Sequence, residues 1–278
     1  TNTRGDGSEV APDAAQVEEG PTLPLERPCG PMAPTTRSPG RVEGVTEMEI
    51  DTTVWLWLGL AGMTAGTIPT AYQLLTNDEN RHLSAVLFGV TGIAALAYLA
   101  MALGYGTVEV GGTAIEVVRY GDWLLTTPLM VLYLGLLSQP GSRVLGALVV
   151  VDAVVVLAGV AATALGGVVG YAFFGVGTVA YLVLVALLVW TLPRRASFDT
   201  PRQAASFTTL RNLTVVVWTL YPVVWLLAPT GVGLLLPDTQ VLVLTYLDLV
   251  SKVGFVAVAV RGMSALTGSA TDMSVNAD

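Results

Sequence analysis

The chain has 278 residues, of which 53% are hydrophobic and only 12% charged, with a formal net charge of −8. Such a composition excludes an ordinary soluble domain and indicates a polytopic membrane protein. No basic patch offers itself to nucleic acid, and the single cysteine, Cys29, excludes an intramolecular disulfide.

Residues 1–47 are rich in Pro, Gly, Thr and Glu and lack apolar periodicity, which predicts a disordered N-terminal extension. Much of the acidity sits there, since residues 1–50 hold nine Asp/Glu against four Arg. The stretch has no apolar core of a signal peptide. Met48 opens Met-Glu-Ile-Asp-Thr-Thr-Val-Trp-Leu-Trp just before the first apolar segment, so residues 1–47 are expected to lie upstream of the functional start. An extracellular tail is the competing reading. A bundle domain is expected over 48–266, and a disordered cytoplasmic tail over 267–278.

Seven apolar segments follow, at 53–75, 83–104, 115–137, 143–165, 169–192, 206–228 and 239–262. Each reaches the length of about 20 residues that spans a bilayer as a helix. The links between them are short and carry turn signals, except the polar stretch from Pro193 to Ala205. Arg81, Arg143, Arg194, Arg195, Arg202, Arg211 and Arg261 fall at the links after segments one, three and five, in the first turns of segment six, or at the end of segment seven. The opposite links have neither Lys nor Arg. The basic side is therefore expected in the cytoplasm, with the N-terminus outside and the C-terminus inside. The expected fold is an all-α membrane protein, a seven-transmembrane-helix bundle.

Ionisable residues inside such segments are costly and mark function by default. The third segment reads Arg119-Tyr-Gly-Asp122-Trp123-Leu-Leu-Thr126-Thr127-Pro128, and helical spacing lines Arg119, Asp122 and Thr126 along one face, with Thr126 in reach of the carboxylate. Asp152 lies in the fourth segment. Trp218, Tyr221 and Trp225 in the sixth follow i, i+3, i+7 spacing, which suits packing or, if the stripe faces the seventh segment, a box for a long apolar ligand. The seventh holds Asp248 and Lys252 one turn apart, and Lys252 is the only lysine of the chain. Arginine would serve as a cation, but only an amine forms an imine, so a lysine retained in mid-membrane points to covalent attachment of a carbonyl compound. A structural ion pair is the alternative.

Three stretches carry a family resemblance: Arg-Tyr-Gly-Asp-Trp-Leu-Leu-Thr-Thr-Pro at 119–128, Arg211-Asn-Leu-Thr-Val-Val-Val-Trp-Thr-Leu-Tyr-Pro-Val-Val-Trp225, and Leu247-Asp-Leu-Val-Ser-Lys-Val-Gly-Phe255. They resemble the haloarchaeal microbial rhodopsins, closest to the sensory rhodopsin II (phoborhodopsin) branch, from about Met48 to about Leu266. The resemblance implies all-trans retinal bound to Lys252 as a protonated Schiff base and isomerised by light to 13-cis. It makes Asp122 the counterion and proton acceptor, with Asp248 the second carboxylate and Arg119 on its extracellular side. Tyr98 and Tyr221 would hydrogen-bond Asp248. Trp123, Trp218, Trp225 and Phe174 would enclose the polyene, with Thr127 and Asp152 paired beside it. A buried imine keeps its proton in the dark only beside anions, which agrees with this set.

The family divides into pumps and receptors. Pumps resembling this chain carry an Asp, the internal proton donor, at the position of Tyr133, and two glutamates for proton release at those of Thr230 and Gln240. A phenol, whose pKa is ordinarily about 10, gives up no useful proton at neutral pH. Ser251 stands where pumps usually have alanine and receptors a hydroxyl that bonds the tyrosine at Tyr221. Tyr246 resembles a transducer-contacting residue, whereas Leu236 departs from a polar contact residue of a relative. The resemblance implies a non-enzymatic phototaxis photoreceptor signalling to a two-helix methyl-accepting transducer in the bilayer, as a homo-oligomer or a 2:2 complex. A light-driven outward proton pump is the alternative. A chloride pump is disfavoured, since those proteins have a neutral Thr at the position of Asp122.

Overall fold

The computed structural model describes residues 52–78 and 80–262, so the expected N-terminal extension and tail lie outside the described residues. Among the described residues there are seven helices: α1 (Thr52–Thr76), α2 (Arg81–Ala102), α3 (Val117–Ser138), α4 (Ser142–Leu165), α5 (Gly167–Arg195), α6 (Pro201–Leu227) and α7 (Pro237–Gly262). Six of them are long and apolar enough to cross a membrane; α1 is as long, but its Trp, Gly, Thr and Pro content lowers its hydropathy. α1 packs along α2 and α7, and so belongs to the same bundle.

Helices adjacent in sequence pack against one another, α7 returns to α1, and α3 also touches α6. The polarity is that of a membrane bundle. Large apolar side chains such as Trp57, Ile68, Leu96, Val179 and Leu182 point outward, while Thr126, Asp122, Asp152, Asp248 and Lys252 are buried. In lipid the outside offers apolar groups nothing to escape from, so polar groups turn inward and find one another.

Three local features depart from the expected segments. The link 105–114 is not plain loop: β1 (Thr107–Val110) pairs antiparallel with β2 (Thr113–Glu116), with Val108 opposite Ile115. Gly111 and Gly112, at φ of 59° and 84°, supply the left-handed turn that a two-residue hairpin demands. The stretch expected as a loop from Pro193 to Ala205 is shorter. α5 continues to Arg195, and α6 starts at Pro201, where the Thr200 hydroxyl accepts from the Gln203 amide at 3.1 Å. Threonine before proline is a cap followed by a preformed first turn. Finally, two helices contain wide π-turns, at Leu187–Thr191 in α5 and at Leu249–Gly254 in α7. The second carries Lys252.

Candidate functional site: a buried lysine, two carboxylates and an aromatic cavity

The site lies between α3, α6 and α7, with α2, α4 and α5 closing it. The Lys252 side chain is almost wholly buried, and Nζ contacts Asp122 Oδ2, with Asp248 Oδ1 at 3.9 Å. The wide turn at Leu249–Gly254 keeps Ser251 and Lys252 on the inner face of α7. Such turns recur at functional sites because they re-aim side chains within a helix.

Asp248 is the hub. Oδ2 accepts from the Tyr98 hydroxyl at 2.8 Å and from Arg119 Nη1 at 3.4 Å, and Oδ1 accepts from the Tyr221 hydroxyl at 2.8 Å and from Trp123 Nε1 at 3.0 Å. Gly59 in α1 makes room for Tyr98, since a Cβ there would collide with the tyrosine ring. The Ser251 hydroxyl donates to the Asp248 carbonyl at 3.2 Å and lies 3.3 Å from the Tyr221 hydroxyl. Asp122 Oδ1 and Arg119 Nη2 are buried and have no hydrogen-bond partner among the described residues.

A cavity of about 680 Å³ leads away from the lysine. Its size is that of a preformed small-molecule pocket, about 300–1,000 Å³. Trp123, Phe174, Trp218, Tyr221 and Trp225 all line it, so the aromatic stripe of α6 does face the lysine. Phe174 stacks on Trp225 at 4.4 Å with the planes 12° apart, and Trp123 meets Tyr221 edge-on at 5.2 Å. Beside it the Thr127 hydroxyl donates to Asp152 Oδ2 at 2.8 Å. At its other end the cavity reaches Glu116 and Gly112 of the hairpin, Thr230 and Gln240.

One expectation is corrected. Thr126 does not bond the Asp122 carboxylate; its hydroxyl donates to the Asp122 backbone carbonyl at 2.8 Å, the contact that a helical threonine finds one turn back. Tyr133 and Tyr246 stand apart from the cavity. Tyr133 is buried against Phe255, ring centroids 5.6 Å apart, and Tyr246 projects outward with 64% of its surface exposed. Leu236 is exposed as well.

Two groups escape the sequence reading. Glu116 Oε2 accepts from Arg119 Nε at 2.6 Å, a pair three residues apart that the helical spacing could have signalled. Thr163 of α4 bridges the Tyr120 hydroxyl at 2.7 Å and Trp225 Nε1 at 2.9 Å; a lone threonine in an apolar helix is a weak signal.

An arrangement with one buried amine, an anion in contact, an unpartnered carboxylate oxygen and a long aromatic cavity suits a linear apolar aldehyde bound through the amine. The profile of the bacteriorhodopsin-like protein family matches residues 51–266. The chain is 44% identical over 220 residues to sensory rhodopsin-2 of Natronomonas pharaonis, covering 79% of this chain and 90% of that protein. It is 47% identical over 215 residues to sensory rhodopsin-2 of Halobacterium salinarum, covering 77% and 90%. Among solved structures, the thermophilic rhodopsin from Rubrobacter xylanophilus superposes with a TM-score of 0.73 at 37% identity, covering 77% of this chain and 97% of that one. This multi-pass membrane chain, with its lysine inside an aromatic-lined bundle, therefore belongs to the bacteriorhodopsin-like family of rhodopsins.

Proposed function

We propose that the protein is a retinal-based photoreceptor for phototaxis of the sensory rhodopsin II type. The observation that carries the reading is the only lysine of the chain, buried against Asp122 at the end of an aromatic cavity. All-trans retinal, linked to Lys252, would supply visible absorption and a light-driven change to 13-cis that moves the proton at Nζ relative to Asp122.

The remaining work belongs to the protein. Asp122 neutralises the charge at Lys252 in the dark and takes the proton after light, for which its unpartnered Oδ1 leaves capacity. Asp248 is held in place by the four donors that converge on it. Trp123, Trp218, Trp225 and Phe174 confine the ligand, so that a change in its shape is transmitted to α6 rather than absorbed by solvent. Neutralising the Asp122–Lys252 pair removes a strong electrostatic tie between α3 and α7, a local charge change with a helix-level consequence.

Tyr133, buried against Phe255, supports sensing over pumping, because no carboxylic acid stands there to return the proton quickly. Ser251, within reach of Tyr221, couples the pocket to α6. The outward Tyr246 would contact a two-helix transducer in the bilayer, with the receptor as a homo-oligomer or in a 2:2 assembly. Arginine placement favours the hairpin and N-terminus outside and the C-terminus in the cytoplasm.

Lys252→Arg tests the attachment. It keeps a cation beside Asp122 but cannot form the imine, so the variant reconstituted with retinal should remain colourless. A visible band in that variant would remove Lys252 as the attachment point.

A further inference from the structure

The charged groups of the site form a ladder of alternating sign that does not stop at the buried counterion. From the interior outward it runs Asp122, Lys252, Asp248, Arg119, Glu116. The last member ends the hairpin: Glu116 is the final residue of β2, immediately before α3, and its side chain is 34% exposed against 2% for Arg119. It also lines the mouth of the cavity.

The guanidinium is unevenly shared. Its shortest contact, 2.6 Å from Nε, points outward to Glu116; Nη1 reaches Asp248 at 3.4 Å and Tyr98 at 3.3 Å, and Nη2 has no partner among the described residues. Ionised hydrogen bonds at the shorter distance are the strong ones. Arg119 is thus anchored toward solvent and lends the interior only a long contact.

We propose that Glu116 is the outer positioning residue of the counterion, holding Arg119 back from Asp248 and Asp122 and so letting the hairpin-side solution set the charge state of the pocket. The proposal rests on the chromophore reading above. The titratable groups around Arg119 are Tyr98 from α2, Tyr120 and Asp122 from α3 and Asp248 from α7, with Tyr221 of α6 and Lys252 of α7 reached through Asp248. Of the carboxylates near it, only Glu116 is open to solvent. When Glu116 loses its charge, Arg119 is freed to turn inward, and its positive charge favours the ionised form of Asp122.

The test is an acid titration of the dark spectrum, following the red shift that accompanies neutralisation of the counterion. Glu116→Gln should move that transition to lower pH, by on the order of half a unit or more. Glu116→Ser should do the same while placing a favourable capping residue at the start of α3, so a misfolded glutamine variant does not leave the question open. Glu116→Asp, which keeps the charge, should titrate close to the parent. Glu109→Gln on the exposed face of β1 removes the same charge without touching Arg119, and should leave the transition in place. Unchanged titration in both uncharged Glu116 variants, or an equal shift in Glu109→Gln, would overturn the positioning role while the chromophore reading stands. Absence of any visible band in the parent protein would overturn both.

Discussion

Replacing Asp248 by asparagine changes almost no volume and therefore isolates the hydrogen-bond arithmetic of the hub. The carboxylate faces only donors: Tyr98 and Arg119 at Oδ2, Tyr221 and Trp123 at Oδ1. An amide can offer its oxygen to one side alone. Arg119 can only donate, so the oxygen should settle toward Arg119 and Tyr98, turning the NH₂ toward Tyr221 and Trp123. The Tyr221 hydroxyl can rotate to accept; the Trp123 indole cannot and is left without a partner. One unsatisfied buried donor costs about 1–3 kcal/mol. Removing one partner of a buried charge pair costs about 3–5 kcal/mol in all, because Arg119 stays behind. Asp248→Asn should therefore lose about 3–5 kcal/mol in reversible unfolding in mixed detergent micelles. Trp123→Phe in the Asp248→Asn background should cost less than in the parent by about 1–3 kcal/mol, since the stranded donor is removed. A loss below about 1 kcal/mol for the single variant, or strict additivity of the two, would refute this account of the hub.

Two further perturbations separate receptor from pump and pocket from partner surface. Tyr133→Asp places a carboxylic acid in the apolar cluster eleven residues from Asp122, about 16 Å along α3, and should speed dark recovery after a flash at least severalfold. Flash photolysis across pH checks it, and fast, pH-independent recovery in the parent would mean that an internal donor already exists. Tyr246→Phe removes one outward hydroxyl and should weaken transducer binding about twofold to tenfold with an unchanged spectrum, read by calorimetry. Ser251→Ala should leave that affinity intact and reduce swimming reversals; full signalling and full affinity in both variants would remove this coupling route.

The fold was legible because length and polarity decide it in a bilayer: each apolar run had only one way to satisfy its backbone. Helix ends were less so. Pro193 reads as a stop, yet Leu192 is fully buried beside it, and the wide turn before it carries α5 on to Arg195. The hairpin was missed because Thr107–Val110 and Thr113–Glu116 are short, although Gly-Gly between β-branched residues was its signature. In the site, Asp122, Asp248 and Lys252 stood out as charges in apolar surroundings, and Tyr98 and Trp123 came with the resemblance. Thr126 was misassigned because spacing tells which turn a hydroxyl faces, not whether it bonds the side chain or the backbone there. Glu116 was passed over because, at the edge of the bundle, a carboxylate costs nothing and draws no attention.

The wide turn at Leu249–Gly254 is also a length signature. Each of its hydrogen bonds spans one residue more than in an α-helix, so α7 behaves like an ordinary helix with a single residue inserted and the surplus kept as a bulge. The two ends of α7 are consequently out of phase with each other by about 100°, the rotation of one residue. Removing one residue, Val250 for instance, would give a tidier and better-bonded helix. Straightening the same residues without removing one would instead turn either the Asp248 half or the Phe255 half away from its present neighbours. Regularity and register are in conflict here, and the chain has kept register. Any redesign that scores helices by the quality of their backbone ladder would straighten this turn, and in doing so would separate the lysine from its carboxylates.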